Sequence, residues 1–356
     1  MLIEFSCSER FYAQLPTLKI EAATPVGGFL DVNGASGKFR YRLYEAHLRD
    51  GRCVFMDLQL GQKDHQEAIS SAQKSESERM NFLCFQLRLI AKPGRPLRAV
   101  CFDADFVLWR DVLVQIASAP YVSGYGFRFL CSRLANVIFI RPLRSSIEAR
   151  DEYAIRKFRQ YLTIDLKSSF QFPDASAPMC FQEEQYGLFT WNLAKKGGSN
   201  FRFLIASQID CVDKKSNPIL LTTHPRFRCN GRFWQQRQVR LYFERLFVGS
   251  KRSVVGLHDN DQVVTQLVDL KPQTRGYEPD GWEPGVCFNF LHGFFRRLQN
   301  ITNRAPDGTI FVAERHSDQS SCVFRPAICS VELETHVLES KFRRQFEKPF
   351  STKVLL

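Results

Sequence analysis

The chain has 356 residues, 44% of them hydrophobic and 24% charged, a composition that excludes intrinsic disorder over most of its length. Its 49 Lys and Arg residues outnumber its 37 Asp and Glu residues, which gives a formal net charge of +12. Such an excess favours a polyanionic partner, either a nucleic acid or an acidic membrane surface, although an ordinary basic protein can carry the same charge.

Membrane insertion and secretion are not indicated by the sequence. No apolar run approaches the roughly 18 residues that a membrane span needs, and no signal-peptide pattern is present, so we expect a soluble intracellular protein without a membrane partner. The 11 cysteines are scattered singly and include no C-x-x-C pair. Buried reduced thiols are therefore favoured over a zinc site or a disulfide framework.

The first half of the chain predicts a loop, a helix and then mostly strands. A strongly polar window at 61–79 precedes a predicted amphipathic helix, whose apolar residues recur at helical spacing: Met80, Leu83, Cys84, Leu87 and Ile90. The apolar segment 107–117 contains Arg110, and residues 127–140 are typical of two paired strands.

Two central segments predict a helix and a hairpin. The helix covers 145–162, begins with a pattern typical of a capping box (Ser145 and Glu148), and places an apolar set on one face: Ala154, Phe158, Tyr161 and Leu162. Residues 201–212 and 218–222 predict the two strands of a hairpin. Because side chains alternate along a strand, Gln208 and Asp210 should share one face, as should Leu220 and Thr222 on the next strand.

The last third predicts two more helices and a second hairpin. One helix covers 234–249 and stops at Gly249, the hairpin turns at Asp259 to Asp261, and the other helix follows Gly281. No linker divides the chain, so we expect one α+β domain with mixed and antiparallel β-sheets flanked by helices. Residues 1–50 would pack on the core, 50–338 would form the domain, and 339–356 would be a loose basic tail.

Several segments, in chain order, resemble motifs of one known family. They are FMDLQLGQ (55–62), FVLWRDVLVQIASAPY (106–121), KFRQY (157–161), SQIDCV (207–212), ILLTT (219–223), RLFVGSKRSVVGLHDNDQVV (245–264) and GWEPGVCFNF (281–290). The chain resembles, over about residues 50–325, the DXO decapping exoribonuclease family, which includes the Rai-type partners of the nuclear 5′-3′ exoribonuclease.

This resemblance implies a fold related to the PD-(D/E)XK nucleases and an activity on RNA 5′ ends, whether capped, NAD-capped or phosphorylated, with no DNA substrate. It also implies a divalent cofactor, Mg²⁺ or Mn²⁺, a 5′-3′ exoribonuclease as a partner, and a nuclear location, with the cytoplasm as an alternative. In the family, one helix Glu, the acids of an E-x-D strand and the Glu of an E-L-K strand hold the cations. Hard oxygen ligands suit these metals.

Carried over position by position, the family's catalytic residues are largely replaced here. The helix Glu falls on Arg159 and the first acid of E-x-D on Gln208, while the Glu and Lys of E-L-K fall on Leu220 and Thr222. Asp210 alone is retained. Arg159 at about 4 Å from a divalent ion would be repelled by about 8 kcal/mol at an effective dielectric constant of about 20.

The resemblance implies further site residues. Arg110 matches the family's motif Arg, followed here by Asp111 in place of Gly, and Lys157 matches the Lys of the helix motif. A Gln near the substrate phosphates has become Glu244. One weak metal ion could still be held by Asp210, Glu244 and the backbone carbonyl of Leu221, but two carboxylates replace four poorly.

Each of these residues has a second interpretation. Arg159 either pairs with Asp210, contacts a 5′ phosphate, or is a solvated helix residue if the alignment is shifted. Asp210 is either a retained ligand or an ion-paired core residue. Arg110 needs a fixed anionic partner, which could be RNA phosphate or a carboxylate. Leu220 is most simply a core residue.

A basic and aromatic strip at 226–240 resembles a surface for single-stranded RNA, with Arg237 and Arg240 among its cations. An ordinary solvated loop and helix face explains the same residues. The seven His show no metal-like spacing, and no G-x-S-x-G, P-loop or G-x-G-x-x-G motif is present.

The leading hypothesis is a catalytically degenerate member of the family that binds RNA 5′ ends, or a protein partner, without hydrolysis. The alternative is an active metal-dependent decapping nuclease that removes NAD or incomplete caps through a rearranged metal site. A purely structural partner of an exoribonuclease is a third hypothesis, because a fold does not by itself imply a function.

Overall fold

Two β-sheets with helices packed on them form the structure, a computed structural model of the whole chain. It describes residues 3–15, 18–26, 29–31, 34–36, 41–49, 54–62, 76–122, 124, 126–143, 149–166, 173, 175, 185–195, 199–226, 232–270, 282–317, 319, 321–328 and 337–346.

The first sheet is mixed and contains 12 of the described strands. These are β1 (Ile3–Ser6), β2 (Lys19–Ile20), β3 (Thr24–Pro25), β4 (Phe29–Asp31), β5 (Gly34–Ser36), β8 (Phe106–Trp109), β9 (Phe127–Leu134), β10 (Val137–Pro142), β12 (Tyr186–Ala194), β13 (Asn200–Gln208), β18 (Ile310–Arg315) and β19 (Ser321–Pro326). Their order is β1-β19-β18-β9-β10-β8-β13-β12-β4-β5, with β2 and β3 also paired to β12.

The second sheet is smaller and contains seven of the described strands. These are β6 (Tyr41–Leu43), β7 (Met56–Asp57), β11 (Thr163–Asp165), β14 (Cys211–Val212), β15 (Pro218–Pro225), β16 (Arg252–His258) and β17 (Val263–Leu270). Their order is β11-β6-β14-β15-β16-β17-β7, and β15 runs parallel to β16.

The described helices pack between and around the sheets. They are α1 (Glu9–Ala13), α2 (Ala46–Arg49), α3 (Glu76–Ile90), α4 (Leu97–Val100), α5 (Arg110–Ser118), α6 (Ala149–Leu162), α7 (Arg232–Leu246), α8 (Pro284–Asn303) and α9 (Ser340–Phe346). α5 contacts both α7 and α8, while α6 contacts β15. Among the described helices, none is both long and apolar enough to cross a membrane.

The α+β class and most predicted elements are confirmed. The hairpins β9–β10 and β16–β17 are antiparallel, and the predicted helices appear as α3, α6, α7 and α8. Gly249 adopts a left-handed φ of +61° just beyond α7, as expected of a residue that ends a helix. The capping-box residues Ser145 and Glu148 and most of the polar window (63–75) lie outside the described residues.

The predicted hairpin of 201–212 with 218–222 is wrong over most of its length. β13 belongs to the first sheet, where it runs antiparallel to β12 and parallel to β8. Only the two residues of β14 pair with β15, in the second sheet. The chain crosses from the first sheet to the second at Ile209 and Asp210, between the end of β13 and the start of β14.

Three local predictions also differ from the structure. The segment 107–117 is not continuous, because a buried strand ends at Trp109 and α5 begins at Arg110. Ile90, predicted on the apolar face of α3, is exposed at the last residue of that helix. Residues 340–346 of the predicted loose tail form α9, which buries Phe342 against Phe139.

Part of the segment 1–50 packs on the core, because Tyr12 and Leu18 are buried in the first core. The division of the chain into 1–50, 50–338 and 339–356 stays a prediction.

The cysteines are placed as the sequence predicts. Every cysteine that the structure describes is buried and free, as expected: Cys7, Cys84, Cys101, Cys131, Cys211, Cys287 and Cys322.

A glycine sets the height of α6 above the second sheet. Phe158 on α6 is fully buried in the second core and lies over Gly256 on β16. A Cβ atom at Gly256 would lie 2.5 Å from Cε2 and 2.8 Å from Cζ of Phe158. Only glycine therefore lets the helix pack this closely, and the position of the following residue, Arg159, depends on it.

We predict that Gly256→Ala lowers the free energy of unfolding by about 1–3 kcal/mol, because the added methyl group displaces a buried aromatic ring. The measurement is urea denaturation followed by circular dichroism. Gly285→Ala in the first turn of α8 is the control, since a Cβ there meets nothing within 4 Å and should leave stability equal or higher. Equal stability of wild type and Gly256→Ala would contradict the close packing.

Candidate functional site

A buried ion pair joins α6 to the crossing point between the two sheets. The terminal nitrogen NH2 of Arg159 donates to Oδ1 of Asp210 at 2.6 Å, and the two side chains are only 11% and 12% exposed. With its amide oxygen turned toward the guanidinium, Gln208 accepts from both terminal nitrogens of Arg159, at 3.1 and 3.2 Å. Of the residues at the family's catalytic positions, Arg159 therefore contacts both Gln208 and Asp210, while the side chain of Leu220 is buried in the first core.

The second oxygen of Asp210 is also engaged. Oδ2 accepts from the backbone N–H of Leu221 on β15 at 2.9 Å. Both carboxylate oxygens therefore have strong donors, one a guanidinium and one a main-chain amide. Asp210 and Gln208 come together through their shared contact with Arg159. The predicted alternation of side chains along one strand does not bring them together, because β13 has already ended at Gln208.

A second ion pair joins Arg237 and Glu244 of α7 and also contacts β15. NH1 of Arg237 donates to Oε1 of Glu244 at 3.1 Å, and NH2 of the same arginine donates to Oγ1 of Thr222, the residue after Leu221. Burial alone would raise the pKa of Glu244, but Arg237, Arg110 and Arg240 outweigh it and hold that pKa below its ordinary value. Glu244 is thus an ionised partner of arginines.

Arg110 opens α5 and completes the cluster. Its Nε and NH2 atoms donate to Oδ1 of Asp111 at 3.2 Å each, and Oδ2 of Asp111 lies 3.8 Å from NH1 of Arg79. Burial disfavours the charged form of Arg110, yet the nearby carboxylates of Asp111, Glu244 and Asp210 raise its pKa. Its NH1 atom is buried and has no hydrogen-bond partner among the residues that the structure describes.

Arginines predominate among the described contacts of the cluster. Five described arginines pair with, or lie near, its three carboxylates Asp111, Asp210 and Glu244; they are Arg79, Arg110, Arg159, Arg237 and Arg240. Burial would raise the pKa of Asp111, but Arg110 and Arg79 lower it, so this acid is ionised as well. Arginine side chains that surround ionised acids in this way can also attract an anion.

The described residues do not fit a divalent metal ion. Within the part of the chain that the structure describes, no group of three or more His, Cys, Asp and Glu side chains could hold one. The two candidate carboxylates, Asp210 and Glu244, are each paired with an arginine. Mg²⁺ and Mn²⁺ prefer several oxygen ligands, and a guanidinium beside the same oxygens repels the ion.

Two predicted site residues make other contacts. The side chain of Leu220 is buried in the first core, as its simplest interpretation proposed, although the next residue, Leu221, binds Asp210 through its N–H. Lys157 is buried, and its Nζ atom donates to the carbonyl of Ala175 at 2.6 Å and to Oε1 of Gln160 at 3.1 Å. An RNA contact by Lys157 would therefore require these bonds to break.

The predicted basic strip is only partly described, since 227–231 and the side chains of 232–234 lie outside the described set. The guanidinium of Arg237 is turned inward to Thr222 and Glu244 and does not extend along an exposed surface.

Sequence reasoning missed Arg79, which lies in the polar window and carries no motif that distinguishes it from a solvated arginine.

We predict that Arg159→Met lowers the free energy of unfolding by about 3 kcal/mol, because it leaves Asp210 buried without its counterion. Adding Asp210→Asn should then recover part of the loss, which a double-mutant cycle in urea denaturation measures. The control is Arg202→Ala, whose partner Asp103 lies 4.0 Å away in a pair that is 57% and 62% exposed, and which should change stability by less than about 0.5 kcal/mol. Strictly additive effects at Arg159 and Asp210 would contradict a coupled pair.

The chain is similar to curated proteins whose names refer to decapping. The chain is 24% identical over 261 residues to decapping nuclease dom-3 of Caenorhabditis elegans, a match that covers 69% of this chain and 65% of the relative. It is 25% identical over 227 residues to the decapping and exoribonuclease protein of Xenopus laevis, covering 57% and 55%. The matches thus span less than two thirds of each relative's own length.

Solved structures show the same fold. The crystal structure of Candida albicans Rai1 in complex with pU5-Mn2+ aligns over 97% of this chain and 99% of that one, with a TM-score of 0.69 and 12% identity. The family model for a RAI1 like PD-(D/E)XK nuclease matches residues 41–343, which is most of the chain. The chain therefore belongs to the RAI1-like PD-(D/E)XK nuclease family, and the resemblance to the decapping nucleases is confirmed.

Proposed function

We propose that the protein binds RNA 5′ ends, in RNA 5′-end quality control or mRNA decay, without the metal-dependent hydrolysis of its family. The observation that carries this proposal is the buried pair of Arg159 with Asp210. The family membership supplies the substrate class, because curated relatives are named decapping nucleases and Candida albicans Rai1 has been crystallised with pU5-Mn2+.

Loss of hydrolysis is supported by the occupied carboxylates. A metal ion at Asp210 would have to displace Arg159 from Oδ1, leaving a guanidinium buried without its partner. Burying an unpaired charge costs several kcal/mol, in addition to the repulsion between two cations. The described part of the site offers no other group of acids to offset this cost.

Retention of RNA binding is supported by the arginines of the cluster. Guanidinium groups bind phosphate oxygens through paired hydrogen bonds, and they do so without a metal ion. The buried NH1 atom of Arg110 is a donor for which the described residues supply no acceptor. A phosphate oxygen would satisfy this donor.

The alternative function is an active decapping nuclease with a rearranged metal site. Its supporting observation is that Glu244, whose pKa is lowered by its arginine neighbours, is ionised, and that Glu244 and Asp210 both act on the same arginine, Arg110. A 5′-3′ exoribonuclease as partner and a location in the nucleus stay predictions of the family resemblance.

We predict no turnover when the purified protein is incubated with 5′-triphosphate, 5′-monophosphate or NAD-capped RNA and either Mg²⁺ or Mn²⁺. Product release is measured by gel electrophoresis and mass spectrometry. The Caenorhabditis elegans decapping nuclease dom-3, prepared in the same way, is the positive control. Turnover that Asp210→Ala abolishes would reject the proposal and establish the alternative function.

We predict that a 5′-monophosphorylated oligonucleotide binds with the same Kd in Mg²⁺ and in EDTA, because arginines and not metal ions hold the phosphate. Two or three phosphate contacts should weaken binding roughly tenfold between 50 and 200 mM salt. Arg110→Gln should weaken it about tenfold at fixed salt. Fluorescence anisotropy measures both effects.

The matched control for binding is Arg202→Gln, which removes an exposed arginine in β13 outside the cluster and should change the Kd by less than twofold. Thermal melting of each variant verifies that it is folded. Binding that requires Mg²⁺, or that Arg202→Gln weakens as much as Arg110→Gln does, would contradict an arginine site for phosphate.

A further inference from the structure

Two buried cysteines meet where the two ends of the chain come together. Cys7 follows β1, and Cys322 is the second residue of β19. The two strands are antiparallel partners, with Phe5 opposite Cys322. Their sulfur atoms lie 3.2 Å apart although 315 positions separate the two residues in the sequence. This contact lies outside the arginine cluster.

The packing around the pair holds both thiols in place. Phe5 lies against Phe290 of α8, with ring centroids 5.5 Å apart, and Tyr12 of α1 contacts the same ring at 5.4 Å. Asn289 of α8 donates to the carbonyl of Tyr12 at 3.3 Å. The segment that carries Cys7 is thus anchored on both sides of the cysteine, and the two sulfur atoms stay in register.

The two thiols differ in acidity. The hydrogen bond from the Cys322 thiol, followed by the charge of Arg315, holds the pKa of Cys7 below its ordinary value in spite of burial. Burial and the neighbouring Cys7 raise the pKa of Cys322. Burial also raises the pKa of Cys84, Cys101, Cys131, Cys211 and Cys287. Among the described cysteines with a shifted pKa, Cys7 is therefore the more acidic one, and its thiol loses a proton more readily than that of Cys322.

We propose that Cys7 and Cys322 form a reversible disulfide when the protein meets a hydroperoxide, and that this bond locks β1 to β19. The sulfur atoms need to approach by only about 1 Å to reach bonding distance. Because β1 is an edge strand of four residues, it can open locally and admit a small oxidant to the buried pair.

The reaction balances with hydrogen peroxide as the oxidant. The Cys7 thiolate attacks one peroxide oxygen, the O–O bond breaks, and Cys7 becomes a sulfenic acid while the departing hydroxide takes up a proton as water. The sulfur of Cys322 then attacks that of Cys7, the S–S bond forms, and the S–OH bond breaks. The departing hydroxide takes up the proton of Cys322 and forms the second water. Over the two steps, the two thiols lose the two electrons that the peroxide gains.

The crosslink would stabilise the fold against global unfolding. It would close a loop of more than 300 residues, which restricts the unfolded chain strongly. We expect oxidation to raise the Tm by about 5 °C. Reduction by dithiothreitol should return the Tm to its original value.

The experiment treats the purified protein with hydrogen peroxide, blocks the remaining thiols by alkylation, and maps proteolytic fragments by mass spectrometry without reduction. The expected product is the Cys7 peptide joined to the Cys322 peptide, lighter than their sum by two hydrogen atoms and separated by reductant. Cys7→Ala and Cys322→Ala should each abolish this product and the rise in Tm. Cys131→Ala, which removes another buried cysteine, should leave both unchanged.

Two results would overturn the proposal: absence of the crosslinked peptide at peroxide levels that oxidise other thiols of the folded protein, or crosslinks spread evenly over other cysteines. Peptide mapping of the wild-type protein decides between these outcomes even where a variant fails to fold. The result is independent of RNA binding and of hydrolysis.

Discussion

The ion pair between Arg159 and Asp210 holds together three parts of the chain that are distant in sequence. Arg159 comes from α6, Asp210 from the crossing between the two sheets, and Leu221, whose N–H also binds Asp210, from β15. Both side chains are almost fully buried, so each charge depends on the other. The packing of Phe158 on Gly256 sets the height of α6 and thereby the reach of Arg159.

The same pair determines which chemistry the site can perform. Carboxylates can bind either a divalent metal ion or a guanidinium group, and both of these partners are cations. Only the metal ion can polarise a phosphate and activate water. Arg159 pairs with Asp210 and Arg237 pairs with Glu244, and Arg110 and Arg240 also lie near Glu244. The arrangement supports phosphate binding without metal-dependent cleavage, which is the function proposed here.

A second stabilising feature of the fold is that segments far apart in sequence pack on the larger sheet. β1 pairs with β19, and α9 packs Phe342 on Phe139 of β10. Residues 3–6 and 340–346 therefore both contact this sheet. The proposed link between Cys7 and Cys322 would make the pairing of β1 with β19 covalent under oxidising conditions, and it lies outside the arginine cluster.

Hydrophobic periodicity in the sequence determined the α+β class, the main helices and two hairpins, because burial on one face imposes a repeat that neighbouring residues reveal. The order of short motifs also located Arg159, Gln208 and Asp210. Only the tertiary structure decided that β13 and β15 lie in different sheets, that Lys157 is engaged by Ala175, and that Arg79 joins the site. These facts depend on contacts between residues far apart in sequence, which no local pattern encodes.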